Sequence, residues 1–411
     1  MTTTPNVSRR NFLLGGLALA AAPGLAHGAS ATAPLAASCI VLYLHGGASQ
    51  LETFDPKPGS KTGGPTRAIA TAQDGVRFAA SLPLLAARAD ALAIIRTLSA
   101  REGNHDRARY LMRTGHAPQG GVVHPGLAAM VSALHPEPAL VGAVSIGPPT
   151  QGPGLLGARH AVLPIRDAER GVRNLEPARA LAPERSRTRA EVLDGLQQHF
   201  AHGRAHGPVD AHGEMLARAR EIAGSPRRDA FDLDDESATT RDRYGRGRFG
   251  AGCLLARRLV DAEVPFIEVG LPGWDTHEDN FARTATLSAE LDRGCAALLD
   301  DLRASGRLAR TLVVCMGDFG RTPNINTRGG RDHWPRSSAV LLAGGGVRPG
   351  VIGSTSDDGR EIATRPVSVP ELYRTIAARL GIDADTQLMS PAGRPITLID
   401  EAAPIAELLP S

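Results

Sequence analysis

VVCMGDFGRTPNINTRGGRDHWP, residues Val313 to Pro335, begins as a buried strand and ends in charge, glycine and one tryptophan. Its apolar half is short, rich in β-branched residues and closed by Gly317, the pattern of a central strand feeding a loop. Its polar half gathers Asp318, Arg321, Arg331, Asp332 and His333 where the apolar run stops. Ligands of open α/β sheets sit beyond the carboxyl ends of the strands, so the reading turns on whether other strands end the same way.

Three others do. His45 follows IVLYL, His105 and Asp106 follow AIIRTLS, and Asp275 and His277 follow FIEVGL. Between these runs lie helical patterns at PLLAARAD, RARYLMRTG, GLAAMVSALH, GAGCLLARRLVDA, Phe281 to Ser305 and VPELYRTIAARLGI. Strands alternating with helices predict an α/β fold, a mostly parallel sheet sandwiched by helices. The 411 residues can bury a full core. The expected organisation is a signal segment over 1–33 and one domain over 34–411. That domain carries a helical insertion around 150–237, rich in Pro, Gly, Arg and Ala. Its His199, His202, His206 and His212 are separated by Gly203 and Gly207, which break the helix that would align them, so they read as solvated surface.

Neutral imidazoles and carboxylates are the ligands of zinc, manganese and similar ions, which need several donors converging on one point. Parallel strands supply that convergence, although any one of these residues alone is more often a cap, a core histidine or a loop ion pair. GSKTGG, at 59–64, only mimics a phosphate loop, because no Gly-Lys-Thr closes it and no helical pattern follows.

At the N-terminus, SRRNFLLGGLALAAAPGLAHGAS pairs Arg9 and Arg10 with a moderately apolar run ending in small residues, a twin-arginine export signal. Gly15, Gly16 and Pro23 interrupt a stretch too short to span a membrane comfortably. The expected product is periplasmic or secreted, exported folded by the twin-arginine machinery, with no membrane span. Lys plus Arg number 46 against 43 acids, so no basic excess points to nucleic acid. Of the four cysteines, Cys39 and Cys315 fall in strand-like runs, while Cys253 and Cys295 lie in helical segments and could pair in an oxidising compartment.

LYLHGGASQLETFDPKPG, NHDRARYLMRTG, GWDTHEDNF, MGDFGRTPNIN and GGRDHWP together resemble the twin-arginine-exported bacterial family called domain of unknown function 1501. That family is placed in the alkaline phosphatase and sulfatase superfamily. The resemblance implies divalent metal, whether zinc, manganese, calcium or magnesium, at the strand ends. Asp275, His277 and His333 would hold one ion, and His45, Asp318 and His105 a second. HDRARYLMRTG is similar to the sulfatase signature, which sets Arg109 at its arginine and His105 where a nucleophilic Ser or Cys stands. Phe319 replaces the His of the superfamily's Asp-His-Gly, and His45 stands where the first strand normally delivers an Asp.

Two functions follow as expectations. One is a metal-dependent hydrolase of a sulfate or phosphate ester, in which water activated by the ion attacks, His105 takes part, and Arg109 and Arg321 clamp the anionic group. The other is a degenerate member that binds a cell-envelope glycan or partner protein without turnover. LYLHGG also resembles an esterase oxyanion loop, but the Gly-x-Ser-x-Gly elbow that such enzymes need does not occur.

Overall fold

Tyr43 and its neighbours in the first strand alternate between two cores, and this fixes the layering. The computed structural model describes residues 36–410 except 136, 174, 176–182 and 203–205; the export signal therefore lies outside the described residues. Strand β1 (Ser38–His45) is buried along its whole length. Ile40, Leu42 and Leu44 face one core, and Cys39, Val41 and Tyr43 face the other. A strand apolar on both faces must be covered on both.

Among the described residues the main sheet has nine strands. After β1 come β2 (Leu92–Ser99), β3 (Val144–Ile146), β4 (Leu163–Ile165), β5 (Phe266–Pro272), β6 (Thr311–Gly317), β7 (Ser338–Gly344), β8 (Gly350–Ile352) and β9 (Val367–Ser368). Their spatial order is β8-β2-β7-β6-β1-β5-β3-β4, with β9 beside β2. Every pairing is parallel except those of β7, which runs against both β2 and β6. The mostly parallel sheet expected from the sequence is thus present, with one reversed strand inside it.

Helices cover both faces. On one side α1 (His105–Thr114), α2 (Leu127–Leu134) and, near the C-terminus, Val369–Leu380 pack on Val41, Tyr43, Val314 and Leu342. On the other, Arg248–Asp261 and the long Asn280–Ala304 pack on Ile40, Leu42, Ile267 and Val313. The 150–237 stretch holds two 19-residue helices, Pro183–Ala201 and His206–Gly224. His199 and His212 are exposed on them, and His202, just past the first, is exposed as well. All four cysteines are buried and free.

Register then positions the site. His45 lies opposite Pro272 of β5, and Leu44 opposite Gly317 of β6, so these three strands end level. Ser338 at the start of β7 lies opposite Leu98 near the end of β2. Because β7 returns antiparallel, the connection 318–337 never leaves this edge. It folds back as a short ribbon in which His333 pairs with Arg321 and Trp334 with Gly320. The polar half of the opening stretch is therefore held over the carboxyl ends of β1, β5 and β6.

Candidate metal centre

Backbone comes close to backbone at this edge. Gly46, just past β1, has φ +107°, and a Cβ there would sit 2.5 Å from the amide nitrogen of Asp275; one on Gly330 would sit 1.9 Å from the carbonyl oxygen of His277. Only glycine permits both approaches. The 273–280 loop is thereby pressed between the ends of β1 and the ribbon.

Two buried guanidinium groups lock that sandwich. Arg331 is fully buried and forms a two-pronged pair with Glu52, Nε to Oε2 at 2.9 Å and Nη2 to Oε1 at 2.7 Å. Its other protons go to the carbonyls of Thr62, Thr322 and Pro323. Asn280 and Thr66 also donate to Glu52. Arg321, equally buried, donates to the carbonyls of Gly46, Gly47 and Arg331 and, at 2.6 Å, to Asp275 Oδ1. The sequence suggested an anion clamp for Arg321, but the side chain is fully buried and four of its five N–H donors are used inside the protein. Arg331 and Glu52 form a support that the sequence did not single out, because it joins residues 279 positions apart.

Four side chains converge in front of this support. His277 Nε2 lies 2.9 Å from His333 Nε2 and 3.1 Å from Asp275 Oδ1. His333 Nε2 is 3.4 Å from Asp275 Oδ1, and His105 Nε2 is 3.4 Å from Asp275 Oδ2. One ligand atom each from His105, Asp275 and His333 lies within 4.8 Å of the others. His105 reaches the cluster as the first residue of α1, whose N-terminus is capped by Asn104 accepting from the amides of Asp106 and Arg107. Its ring meets His333 edge-on at 4.4 Å between centroids, and Phe319 packs beside both.

The second nitrogen of each imidazole decides what the first can do. His105 Nδ1 faces Asp318 Oδ2 at 2.7 Å, His277 Nδ1 faces Asp332 Oδ1 at 2.9 Å, and His333 Nδ1 faces the Gly103 carbonyl at 2.7 Å. All three partners only accept, so each Nδ1 carries its proton and donates it. In the neutral rings, three bare Nε2 lone pairs then point at one another and at a carboxylate. One shared proton could relieve the 2.9 Å contact of His277 and His333, but the buried Nε2 of His105 still has no hydrogen-bond partner. A cation relieves all of them. Donors about 2.0–2.1 Å from a tetrahedral ion stand about 3.3 Å apart; the separations among His277, His333 and Asp275 Oδ1, 2.9 to 3.4 Å, bracket that spacing, and His105 lies 3.4 Å from the second Asp275 oxygen. These residues fit a divalent metal.

Electrostatics agree. Burial raises the Asp275 carboxyl, but the hydrogen bond and charge of Arg321, with His105 and His277, outweigh it and hold its pKa at about 2. Burial pushes the His333 imidazole below its ordinary value, opposed by its bond to Gly103 and reinforced by Arg321 and the neighbouring histidines. The hydrogen bond from His277 lowers Asp332.

The remaining candidates stand apart. Asp318 is fully buried, meets His105 at its Nδ1 and contributes no atom to the cluster. His45 packs edge-on against Tyr43, its Nε2 is buried and unpartnered, and burial beside Arg113 drops its pKa to about 4. It contributes no atom to the cluster. Arg109 is half-exposed one turn beyond His105, bonded to the exposed Asp106 at 2.5 Å. The sequence split these donors into two ion sites. In the structure His105, Asp275 and His333 come together, with His277 beside Asp275 and His333, while Asp318 and Asp332 accept from the far nitrogens of His105 and His277.

Fold and site together describe an exported α/β protein with a histidine–aspartate cluster at the carboxyl edge of its sheet. The chain belongs to the family described as protein of unknown function (DUF1501), whose pattern matches residues 36–409. A twin-arginine translocation signal matches residues 6–26 and assigns the protein to the periplasm or the exterior. No helix of the described residues is long and apolar enough to cross a membrane. No curated protein matches the sequence. Among solved structures, the fold is similar to a protein in the alkaline phosphatase superfamily from Vibrio parahaemolyticus (11% identity, 86% of this chain and 70% of that one, TM-score 0.40). It is also similar to the PsFucS1 sulfatase from Pseudoalteromonas sp. (12%, 86% and 68%, 0.38) and to the lipoteichoic acid synthase LtaP from Listeria monocytogenes (12%, 89% and 75%, 0.40).

Proposed function

We propose that this protein is an exported metal-dependent hydrolase of a sulfate or phosphate ester, working through one ion held by His105, His277, His333 and Asp275. The observation that carries this reading is the convergence of three Nε2 atoms, each with its Nδ1 donated outward, on a carboxylate. Three imidazoles favour zinc among the ions named from the sequence, ahead of manganese, and disfavour calcium and magnesium, which prefer oxygen donors. Bound there, the ion would supply Lewis acidity to water and to the ester. His105 then serves as a ligand and is not free to attack as a nucleophile. Thr276, next to the cluster, is buried with its hydroxyl donated to Asn280, so it offers no substitute. Arg109 is the guanidinium suited to an anionic substrate. Its exposed pairing with Asp106 is worth little and can exchange for a sulfate or phosphate oxygen.

Metal analysis of protein purified without chelator tests the centre. One equivalent of zinc or manganese is expected in the wild type, with most of it lost in His333→Ala. A panel of aryl sulfates, phosphate mono- and diesters and carboxylic esters tests turnover. Arg109→Ala should raise KM for anionic esters about tenfold, the value of one charge-assisted contact, and leave neutral esters unaffected. Stoichiometric metal without turnover of any ester would replace the hydrolase with a non-catalytic protein that binds an envelope glycan through the same centre.

A further inference from the structure

We propose that Asp318 is a positioning residue and not a ligand: it fixes the tautomer and plane of His105 and is itself held by Tyr43 and the Gly46 amide. This rests on the metal-centre reading above. Asp318 directly follows β6 and has no exposed surface. Oδ1 accepts the Tyr43 hydroxyl at 2.9 Å, while Oδ2 accepts the Gly46 amide at 3.2 Å and His105 Nδ1 at 2.7 Å. Both oxygens are thereby engaged inside the protein, and Asp318 supplies no atom to the ligand cluster. A carboxylate can only accept at Nδ1, so the His105 proton is kept there and the lone pair is kept on Nε2, 3.4 Å from Asp275.

The orientation extends further back. The Arg113 guanidinium lies over the Tyr43 ring, 4.3 Å from its centroid, and is anchored by Glu268 at 2.7 Å and the Pro149 carbonyl at 3.1 Å. From the other side, Phe319 packs against His105 at 4.9 Å between centroids. Glu268, Arg113, Tyr43 and Asp318 thus form one line of contacts that ends on a single imidazole. An acidic partner on the far nitrogen of a ligating histidine orients the ring and raises its basicity, and losing such a partner typically weakens metal binding 10- to 100-fold.

The test measures cobalt(II) affinity by chelator competition in the wild type, Asp318→Asn, Tyr43→Phe and His105→Ala, together with the cobalt d–d spectrum. Histidine 15N NMR of the zinc-loaded protein follows the His105 Nδ1–H resonance. Asp318→Asn should weaken cobalt about 10- to 100-fold, keep the wild-type band pattern and move the His105 Nδ1–H resonance upfield. Tyr43→Phe, a milder change that keeps the ring, should move the same resonance in the same direction with a smaller affinity loss. Unchanged affinity in Asp318→Asn would overturn the proposal. So would a band pattern altered in the way His105→Ala alters it, since that marks a lost ligand. A wild type that binds neither cobalt nor zinc would instead overturn the metal-centre reading beneath it.

Discussion

Arg331 and His333 lie two positions apart in the same loop, and the sequence alone makes them look equally functional. Their fates differ because a guanidinium needs several acceptors, and those of Arg331 come from Glu52, Thr62, Thr322 and Pro323. The first two are remote in sequence, so no local pattern announces that they will be supplied. The sequence marks His45, His105, His277 and His333 as donors near strand ends, and of these His45 joins no cluster. Their grouping was not legible, because it depends on where each Nδ1 finds an acceptor. Glu52 and Arg331 are both buried, and removing one leaves the other charge uncompensated. Arg331→Ala should therefore cost about 3–5 kcal/mol, read as a lower denaturant midpoint. Arg331→Met together with Glu52→Leu should recover much of that loss. A single variant as stable as the wild type would show that the strut carries no load.

At the scale of elements, the strands were readable from apolar runs that end in turns. The direction of β7 was harder, since SSAVLLAGG reads equally well either way. A signal was nonetheless present. Parallel neighbours need a long crossover, usually helical, and 318–337 contains no helical pattern. The short strands β3, β4, β8 and β9, of two or three residues each, lack the length for any periodicity to show. The site edge also depends on the tight exit from β1. At Gly46 a methyl group would press on the Asp275 amide from a backbone conformation that side chains disfavour. Gly46→Ala should displace the 273–280 loop, lower the thermal midpoint by several degrees and reduce bound metal. Full metal content in that variant would mean that the ligands do not depend on the close approach.

For the whole molecule, the export signal and the folded domain make separate claims that can be tested separately. Replacing Arg9 and Arg10 by Lys should leave precursor in the cytoplasm, visible on fractionation as a longer chain, since the twin-arginine pair is the recognised feature. Unchanged periplasmic yield would contradict that route.

Closure of the folded domain at its C-terminal end makes a pH-dependent claim. His116 Nδ1 lies 2.9 Å from Asp400 Oδ1 and Nε2 lies 2.9 Å from the Leu398 carbonyl, so both nitrogens donate and the ring is cationic. It stacks 4.0 Å from His124. Burial and the charge of His116 hold His124 at about 4, so that ring is neutral and its Nδ1 can accept from Tyr110. Burial lowers the His116 pKa, but Asp400 and the Leu398 carbonyl outweigh it and raise it above its ordinary value. Asp400 is lowered, first by its hydrogen bond from His116. A raised imidazole contributes stability fully below its unfolded pKa of about 6.5 and loses it as pH rises through the folded value. The lowered carboxyl contributes above its unfolded value of about 3.9 and loses that as pH falls. The clasp between the turn after α1 and the C-terminal segment is therefore strongest from about pH 4 to 6.5. The gap in denaturant midpoint between the wild type and His116→Gln should be widest near pH 6 and narrow steadily towards pH 9. A gap that stayed constant across that range would mean that His116 is neutral in the folded protein and that the Asp400 contact is not an ion pair.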